Sequence, residues 1–417
     1  MVQLSNDCFA FGGKLMTIDE ALALIAARVQ AVDGQEHLPL AECDNRILLA
    51  PLHAPAPLPL FANSAVDGYA LRGADLPQAE PRSFPVRGRV QAGSAAEPIM
   101  PGAAVRIFTG APMPLGADTV FMQEDVRLEA DGSVTLPEGL KPGANMRPAG
   151  EDIAQGSVAI PGGKRLRPQH VALAAALGLT HLTLRRRIRV AIFSTGNEVV
   201  EPGGPRQGAQ LFDSNRFMLA AMLRRLDCDV HDLGILRDDR PALTAALKDA
   251  AGTHDLVLTS GGVSAGEEDH VRAAIESVGS LVLWSMAIKP GRPVAMGVIA
   301  GTPFIGLPGN PVASFVTFAY VVRPTILARS GAMPEPLVAL PVRAAFAYKK
   351  KTGRREYVRA SLQCANDGMW EAVKFPREGA GLLSSLADTD GIIELGENVE
   401  RVSPGENVNF LAYPILI

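Results

Sequence analysis

The sequence predicts an α/β domain accompanied by smaller β units, and three observations predict it. Over roughly residues 189–329, strand-length apolar runs alternate with helical segments, the pattern of a doubly wound sheet with helices on both faces. Residues 61–146, and again the chain beyond Pro334, break into short apolar pieces separated by glycine and proline, which is β texture. Turns rich in glycine and hydroxyl side chains follow several strands of the alternating region, and in such sheets these turns gather at one edge and bind the ligand. With 417 residues, 47% of them apolar, the chain has material for about two to four domains with real cores.

Taken in order, residues 17–31 carry apolar side chains at helical spacing behind Thr17, with Glu20 three positions on, so a helix opens on a capping box. Residues 36–49 read as a short strand, a turn at Asp44 and Asn45, and a short apolar segment. Pro51, Pro55, Pro57 and Pro59 exclude a regular helix and mark a domain boundary or an extended connection. Strands of an inserted β unit are read at 86–90, 104–107, 119–122 and 134–136. A polar, glycine-rich return at 143–156 leads to an Ala-rich helix at 168–179. The main domain then reads as a strand at 189–193, a helix capped by Asp213 or Ser214 and running to Leu226, a strand at 229–234 and a helix at 240–250. A central strand at 256–258, a helix at about 269–278 and a strand near 281–284 follow. The domain closes on 287–297 and 304–322, where a strand stops at Leu-Pro-Gly-Asn-Pro with Asn310 as cap and Pro311 in the first helical turn.

Composition narrows the class. A net charge of −4 with balanced signs argues against a broad nucleic-acid surface or a polybasic membrane patch, and 5% aromatic content argues against base-stacking platforms. The four cysteines, Cys8, Cys43, Cys228 and Cys364, are widely spaced with no CxxC pattern, so neither a zinc site nor a disulfide framework is indicated. The first residues lack a signal-peptide pattern, and the apolar run at 171–179 is short of a membrane span. A cytoplasmic protein without membrane or nucleic-acid partner is expected.

The most informative stretch is 255–269. Residues 256–258 are too apolar for a half-exposed strand and read as central; Ser260, Gly261, Gly262, Ser264 and Gly266 then form a turn into the next helix. Glycines let the backbone approach a ligand, and the helix start aims amides at it, so a phosphate is the natural guest. Glu267, Glu268 and Asp269 would repel phosphate unless a divalent cation lies between, which points to a phosphorylated ligand with Mg2+. The plainer alternative is a tight strand-to-helix turn whose acids favour the helix start. Elsewhere Asp67 on a glycine turn, Thr109, Asp118 and Glu124 in the β unit, and Arg147, Glu151 and Asp152 in the return, offer carboxylates and hydroxyls. For Asp67 a simple turn role is the alternative, and for Asp152 an ion pair with Arg147.

In chain order, NSAVDGYAL, RIFTGAPMPLGADTV, NMRPAGEDI, FSTGNEVV, FDSNRFML, LTSGGVSAGEEDH, IKPGRPVAMG, GLPGNPVASF and the late SSLAD segment resemble the signature blocks of the molybdopterin molybdenumtransferase family, bacterial MoeA and the E domain of gephyrin. The resemblance covers nearly the whole chain. It implies an elongated, four-part homodimer: an α+β linking domain (15–55 with 150–187), an inserted β domain (56–149), a molybdopterin-binding α/β domain like the molybdopterin adenylyltransferases (188–329), and a C-terminal β domain (330–417). The implied reaction takes adenylylated molybdopterin and molybdate, uses Mg2+ or another divalent cation, and releases AMP and molybdenum cofactor. A molybdopterin adenylyltransferase upstream and acceptor molybdoenzymes or their chaperones downstream are the implied partners. Tungstate in place of molybdate, a lone adenylyltransferase activity and an inactive scaffold stay open as alternatives.

Carried onto this sequence, the resemblance makes Asp269 a metal ligand with Glu198 beside it, and brings Asp67, Thr109 and Asp152 from the other side of a cleft between subunits. Ser260 to Gly262, Ser264, Gly266, Pro308, Gly309 and Asn310 would cradle the phosphorylated substrate, with Lys289 and Arg292 supplying charge. Arg292 stands where the family pattern has lysine, which keeps the charge and changes the geometry. Arg355, Ser384 and Ser385 are the C-terminal candidates, with turn capping and surface solvation as the alternative.

Overall fold

A computed structural model describes residues 3–11, 15–237, 239–261 and 270–417. Gly262, Ser264, Gly266 and Asp269 lie outside the described residues. The first helix, α1 (Ile18–Arg28), starts on the expected capping box, Thr17 and Glu20 bonding reciprocally, and stops at Val29 in extended conformation. The strand Gln35–Pro39 pairs antiparallel with His181–Arg185. With α2 (Pro168–Ala176) these strands enclose a small core of Cys43, Leu48, Ile160, Leu166, Leu182 and Leu184.

Between them lies the β unit. A four-stranded sheet runs in the order Val86–Val90, Ala104–Ile107, Gly68–Leu71, Thr119–Met122, and a three-stranded sheet carries Val134–Leu136 between Arg82–Phe84 and Arg127–Leu128. Tyr69, Leu71, Phe84, Phe121 and Val134 close one core; Ala70, Val90, Ile107 and Val120 close the other. Successive residues of Gly68–Leu71 thus point to opposite faces, as strand pleating demands.

The central domain comprises β1 (Arg189–Thr195), α3 (Asn215–Arg225), β2 (Asp229–Leu236), α4 (Arg240–Thr253), β3 (Leu256–Ser260), α5 (His270–Val278), β4 (Gly279–Ser285), β5 (Pro293–Ile299), β6 (Thr302–Leu307) and α6 (Pro311–Thr317). Its six-stranded sheet has the order β2-β1-β3-β6-β5-β4. The first four of these strands are mutually parallel, while β5 runs antiparallel to both β6 and β4. A doubly wound sheet is therefore present, extended by an antiparallel hairpin that the strand and helix alternation did not indicate. The hairpin turn is Ala300-Gly301, both at positive φ, the two-residue geometry that matches strand twist.

Both faces of the sheet are covered, which is why its strands read as continuous apolar runs. Val190, Ile192, Leu256, Leu258, Val294, Met296 and Ile305 face α1, α3 and the helix after Pro311; Ala191, Phe193, Val257, Ala295 and Phe304 face α4 and α5. The helical stretch Pro311–Arg329 has the length and apolarity of a membrane span, but most of it is buried against this core. Its apolarity reflects a helix enclosed on all sides.

The C-terminal strands Arg355–Cys364, Trp370–Lys374, Leu340–Ala344, Asn407–Ala412 and Gly391–Leu395 pair in that order, and the last returns to the first, closing a barrel. Closure gives each of these five strands two neighbours. Ile288–Lys289 of the central domain adds in parallel to Arg355–Glu356, tying the two domains together by backbone bonds.

Candidate active site

The C-terminal ends of β1, β3 and β6 bring the glycine turns to one edge. Gly261, at φ 84°, carries the chain out of β3, and its N–H donates to Leu307 O at 3.0 Å, so the turns after β3 and β6 are locked together. Asn215 at the start of α3 braces both: its Nδ2 donates to Ser260 Oγ at 2.8 Å and to Gly309 O at 2.7 Å. Ser314 Oγ donates to Pro308 O at 2.5 Å from below. Asn310 occupies the cap position before Pro311 without a side-chain cap bond, and Pro308, Gly309 and Asn310 are exposed or half-exposed. Ser260, by contrast, is 6% exposed and Asn215 Oδ1 is buried without a partner among the described residues, so these two side chains shape the turn from beneath.

Glu198 follows β1 on a turn leading into the paired strands Val199–Val200 and Leu211–Phe212. The carboxylate is exposed and folds back over Gly196, at φ 126°, where a Cβ would lie 2.4 Å from Glu198 Oε2. This turn is anchored by Arg216, whose guanidinium reaches Asp213 Oδ2 (2.8 Å), Asp232 Oδ1 (2.5 Å) and Glu201 Oε1 (2.5 Å) and whose side chain is 4% exposed. Burial opposes the Arg216 charge, but the three carboxylates outweigh it and hold its pKa above the ordinary arginine value. Asp213 also accepts from the Arg216 backbone N–H at 3.2 Å, so it caps α3 by side chain although Ser214 occupies the cap position.

Lys289, in the short strand Ile288–Lys289, and Arg292 lie between β4 and β5, at the same edge. Both are exposed, and Gly291 between them packs so closely on the helix after Pro311 that a Cβ would lie 2.9 Å from Thr317 Cγ2. Lys289 contributes to a pocket of about 120 Å³ closed by the barrel, with Arg359, Lys374, Arg377, Glu356 and Glu378 among its walls. That volume is the share of roughly four waters, room for one tetrahedral oxyanion. Arg359 is 8% exposed, donates through Nε to Ser385 Oγ (3.0 Å) and through Nη2 to Gly379 O (3.1 Å), and has no carboxylate at ion-pair distance among the described residues. Burial lowers its pKa from the ordinary arginine value. The same wall meets the Pro308 to Asn310 turn: Val312 N–H donates to Ala380 O at 3.0 Å, and a Cβ on Gly381 would lie 3.5 Å from Asn310 Oδ1.

The barrel residues expected from sequence are arranged differently. Arg355 is bound to Glu397 (3.0 Å), Asp19 (3.5 Å) and Glu394 (3.7 Å) and does not line the pocket; Arg359, on the same side of the strand, does. Ser384 is exposed, while Ser385 is buried against Arg359. Arginine inside the otherwise apolar run Tyr357 to Ala360 was the available signal for Arg359.

Asp67 and Thr109 meet on the β unit. The Thr109 backbone N–H and its hydroxyl both donate to Asp67 Oδ1 at 2.8 Å, in that order of effect holding the Asp67 carboxyl below its usual range. Asp152 is exposed on the return strand side, its N–H donating to Leu58 O, and forms no ion pair with Arg147 among the described residues. No strand ladder or ion pair among the described residues joins Asp67, Thr109 or Asp152 to the edge that carries Ser260, Glu198 and Lys289. Among the described residues the candidates thus fall into two groups that no ladder or ion pair joins.

The family profile described as MoeA N-terminal region (domain I and II) matches residues 16–178, that of the probable molybdopterin binding domain matches 191–328, and that of the MoeA C-terminal region (domain IV) matches 341–413. A molybdopterin molybdenumtransferase of Haemophilus influenzae is 38% identical over 399 residues, covering 94% of this chain and 98% of its own. One from a Nostoc species is 34% identical over 96% of this chain and 94% of its own. The crystal structure of the molybdopterin biosynthesis MoeA protein from Pyrococcus horikoshii superposes with a TM-score of 0.81 at 29% identity, covering 96% of this chain and 100% of that one. The chain belongs to the molybdopterin molybdenumtransferase family.

Proposed function

We propose that this transferase of molybdenum cofactor biosynthesis inserts molybdate into adenylylated molybdopterin, cleaving the adenylate and releasing AMP and molybdenum cofactor. The observation that carries the reading is the junction of two anion sites at one edge. The backbone turns at Ser260 to Gly261 and Pro308 to Asn310 offer a phosphate cradle, and the cationic pocket of Lys289 and Arg359 adjoins it through Ala380 and Gly381. One site suits the substrate phosphates and the other the incoming oxyanion, so the reactants are held side by side.

Carboxylate oxygens suit a hard cation such as Mg2+. Glu198 is exposed at the strand end with no cationic partner among the described residues, and with Asp269 it would hold such an ion, which would neutralise phosphate charge during adenylate cleavage. Substrate and water oxygens would complete the ion's shell. Asp67, held ionised by Thr109, would orient the reacting groups from a second copy of the chain, with Asp152 beside it; Arg292 and Ser384 would supply outer contacts. A homodimer, the four-unit division at 15–55 with 150–187, 56–149, 188–329 and 330–417, a cytoplasmic location, and handover to acceptor molybdoenzymes or their chaperones belong to the same reading.

The test is AMP release from adenylylated molybdopterin with Mg2+, with and without molybdate, followed by reconstitution of an apo-molybdoenzyme. Molybdate-dependent AMP release with reconstitution is expected. Formation of the adenylate from molybdopterin and ATP alone would replace the reading by an adenylyltransferase, and silence in both assays would leave a scaffold.

A further inference from the structure

Glu356 is 1% exposed at the floor of the cationic pocket. A carboxylate buried beside an anion site lowers its positive potential, so its presence there needs a reason. Its two oxygens are divided. Oε1 accepts from Arg354 Nε at 2.8 Å and Nη2 at 2.7 Å, while Oε2 accepts from the Tyr348 hydroxyl at 2.8 Å and lies 3.5 Å from Lys289 Nζ. Lys289 and Glu356 are also partners in the short parallel ladder that joins the central domain to the barrel. Lys289 is otherwise a long, half-exposed side chain at a domain junction, and free lysine stems lose considerable rotamer entropy when an anion fixes them.

We propose that Glu356 is a positioning residue: held rigid by Tyr348 and Arg354, it fixes Lys289 so that its ammonium faces the pocket, and thereby sets the affinity for the tetrahedral oxyanion. The proposal rests on the reading of that pocket as an oxyanion site. Burial works to raise the Glu356 pKa, yet the bonds from Tyr348 and Arg354 and the charge of Lys289 hold it below its usual value, so the tether is anionic. A glutamine here would keep its oxygen toward the two Arg354 donors and turn its NH2 toward Tyr348 and Lys289, pushing the ammonium away.

Positioning and charge tuning predict opposite signs, which makes the test sharp. Molybdate binding is measured by calorimetry on the full chain and on Lys289→Ala, Arg359→Met, Glu356→Gln, Tyr348→Phe and the Lys289→Ala/Glu356→Gln double variant. Glu356→Gln is expected to weaken binding about tenfold, the scale of one charge-assisted hydrogen bond, although it adds one unit of positive charge. Tyr348→Phe, which removes only the hydroxyl, is expected to weaken binding less and in the same direction, and serves if Glu356→Gln does not fold. In the Lys289→Ala background Glu356→Gln should add nothing. In turnover, KM for molybdate should rise with kcat unchanged. Tighter or unchanged binding in Glu356→Gln, or equal weakening with and without Lys289, overturns the proposal. Wild-type binding in both Lys289→Ala and Arg359→Met overturns instead the oxyanion reading on which it rests.

Discussion

Replacing Arg216 by methionine should free the Glu198 turn while leaving the rest of the central domain folded. Arg216 touches three carboxylates, but they are unequal: Glu201 and Asp232 have 52% and 37% of their side chains exposed, and Asp213 only 3%. Pairs with exposed partners contribute about 0–1 kcal/mol each, whereas stranding a buried charge costs about 3–5 kcal/mol. The variant should therefore lose about 3–5 kcal/mol, nearly all through the buried Asp213. The cost falls on a short element, since the turn is held by few other bonds, among them Leu211 N–H to Glu198 O (2.7 Å) and Asp213 N–H to Val200 O (2.9 Å). Hydrogen exchange should show those two amides losing protection while β3 and β6 keep theirs, with turnover falling in parallel. Adding Asp213→Asn should restore protection, since no buried charge is then left unpaired. Unchanged exchange at Leu211 and Asp213 in Arg216→Met would refute the reasoning.

Thr109→Val removes one of the two donors to Asp67 Oδ1; the folded pKa of Asp67 should rise toward the ordinary value, moving the acid limb of the pH–rate profile to higher pH, and an unmoved limb would remove Asp67 from the reaction. Asp255 is fully buried and receives Arg186 at 2.6 and 2.8 Å; burial raises its pKa but Arg186 and the Arg189 N–H outweigh it. Asp255→Asn should cost about 3 kcal/mol, a difference from wild type present above pH ~4 and shrinking as pH falls through the depressed folded pKa, with kcat of the folded enzyme unchanged because the site is about 17 Å away along β3. Asn215→Ala should cost about 1–2 kcal/mol for two lost hydrogen bonds and raise KM for the pterin substrate, read by steady-state kinetics, through loosening of the Ser260 and Gly309 turns.

Much of the architecture was legible because burial on two faces and helix capping leave marks in local sequence. The capping box at Thr17, proline after Asn310 and the apolar run of β3 each state a backbone requirement within a few residues. The antiparallel β5 and β6 hairpin was not legible, since a strand buried on both faces has the same apolar texture in either direction and Ala300-Gly301 is a weak turn signal. The candidate site's backbone turns were legible where glycine marks close approach, as at Gly261, and its side-chain arrangement was obscure where a distant partner decides it. Arg355 and Arg359 are both arginines two turns of the pleat apart on one strand; only the positions of Glu397, Glu394 and Asp19 decide that the first is an ion-pair anchor and the second a pocket wall.

The separation of the two residue groups has a consequence for assembly. The pocket lined by Lys289 and Arg359 and the described turns at Ser260 to Gly261 and Pro308 to Asn310 lie within one chain, where the Ile288–Lys289 ladder and the Val312 to Ala380 bond fix the barrel to the central edge. Asp67 and Thr109 are rigid with respect to each other but are joined to that edge by no ladder or ion pair among the described residues. If the second group comes from a partner copy, ligand binding is a property of the single chain and turnover a property of the dimer. Oxyanion affinity should then stay constant on dilution while specific activity falls with the fraction of dimer, and mixing inactive Asp67→Ala with inactive Asp269→Asn subunits should recover activity at one of the two shared sites. Activity that holds constant below the dissociation concentration of the dimer, or mixed dimers that stay silent, would place the whole reaction within one chain or remove Asp67 from it.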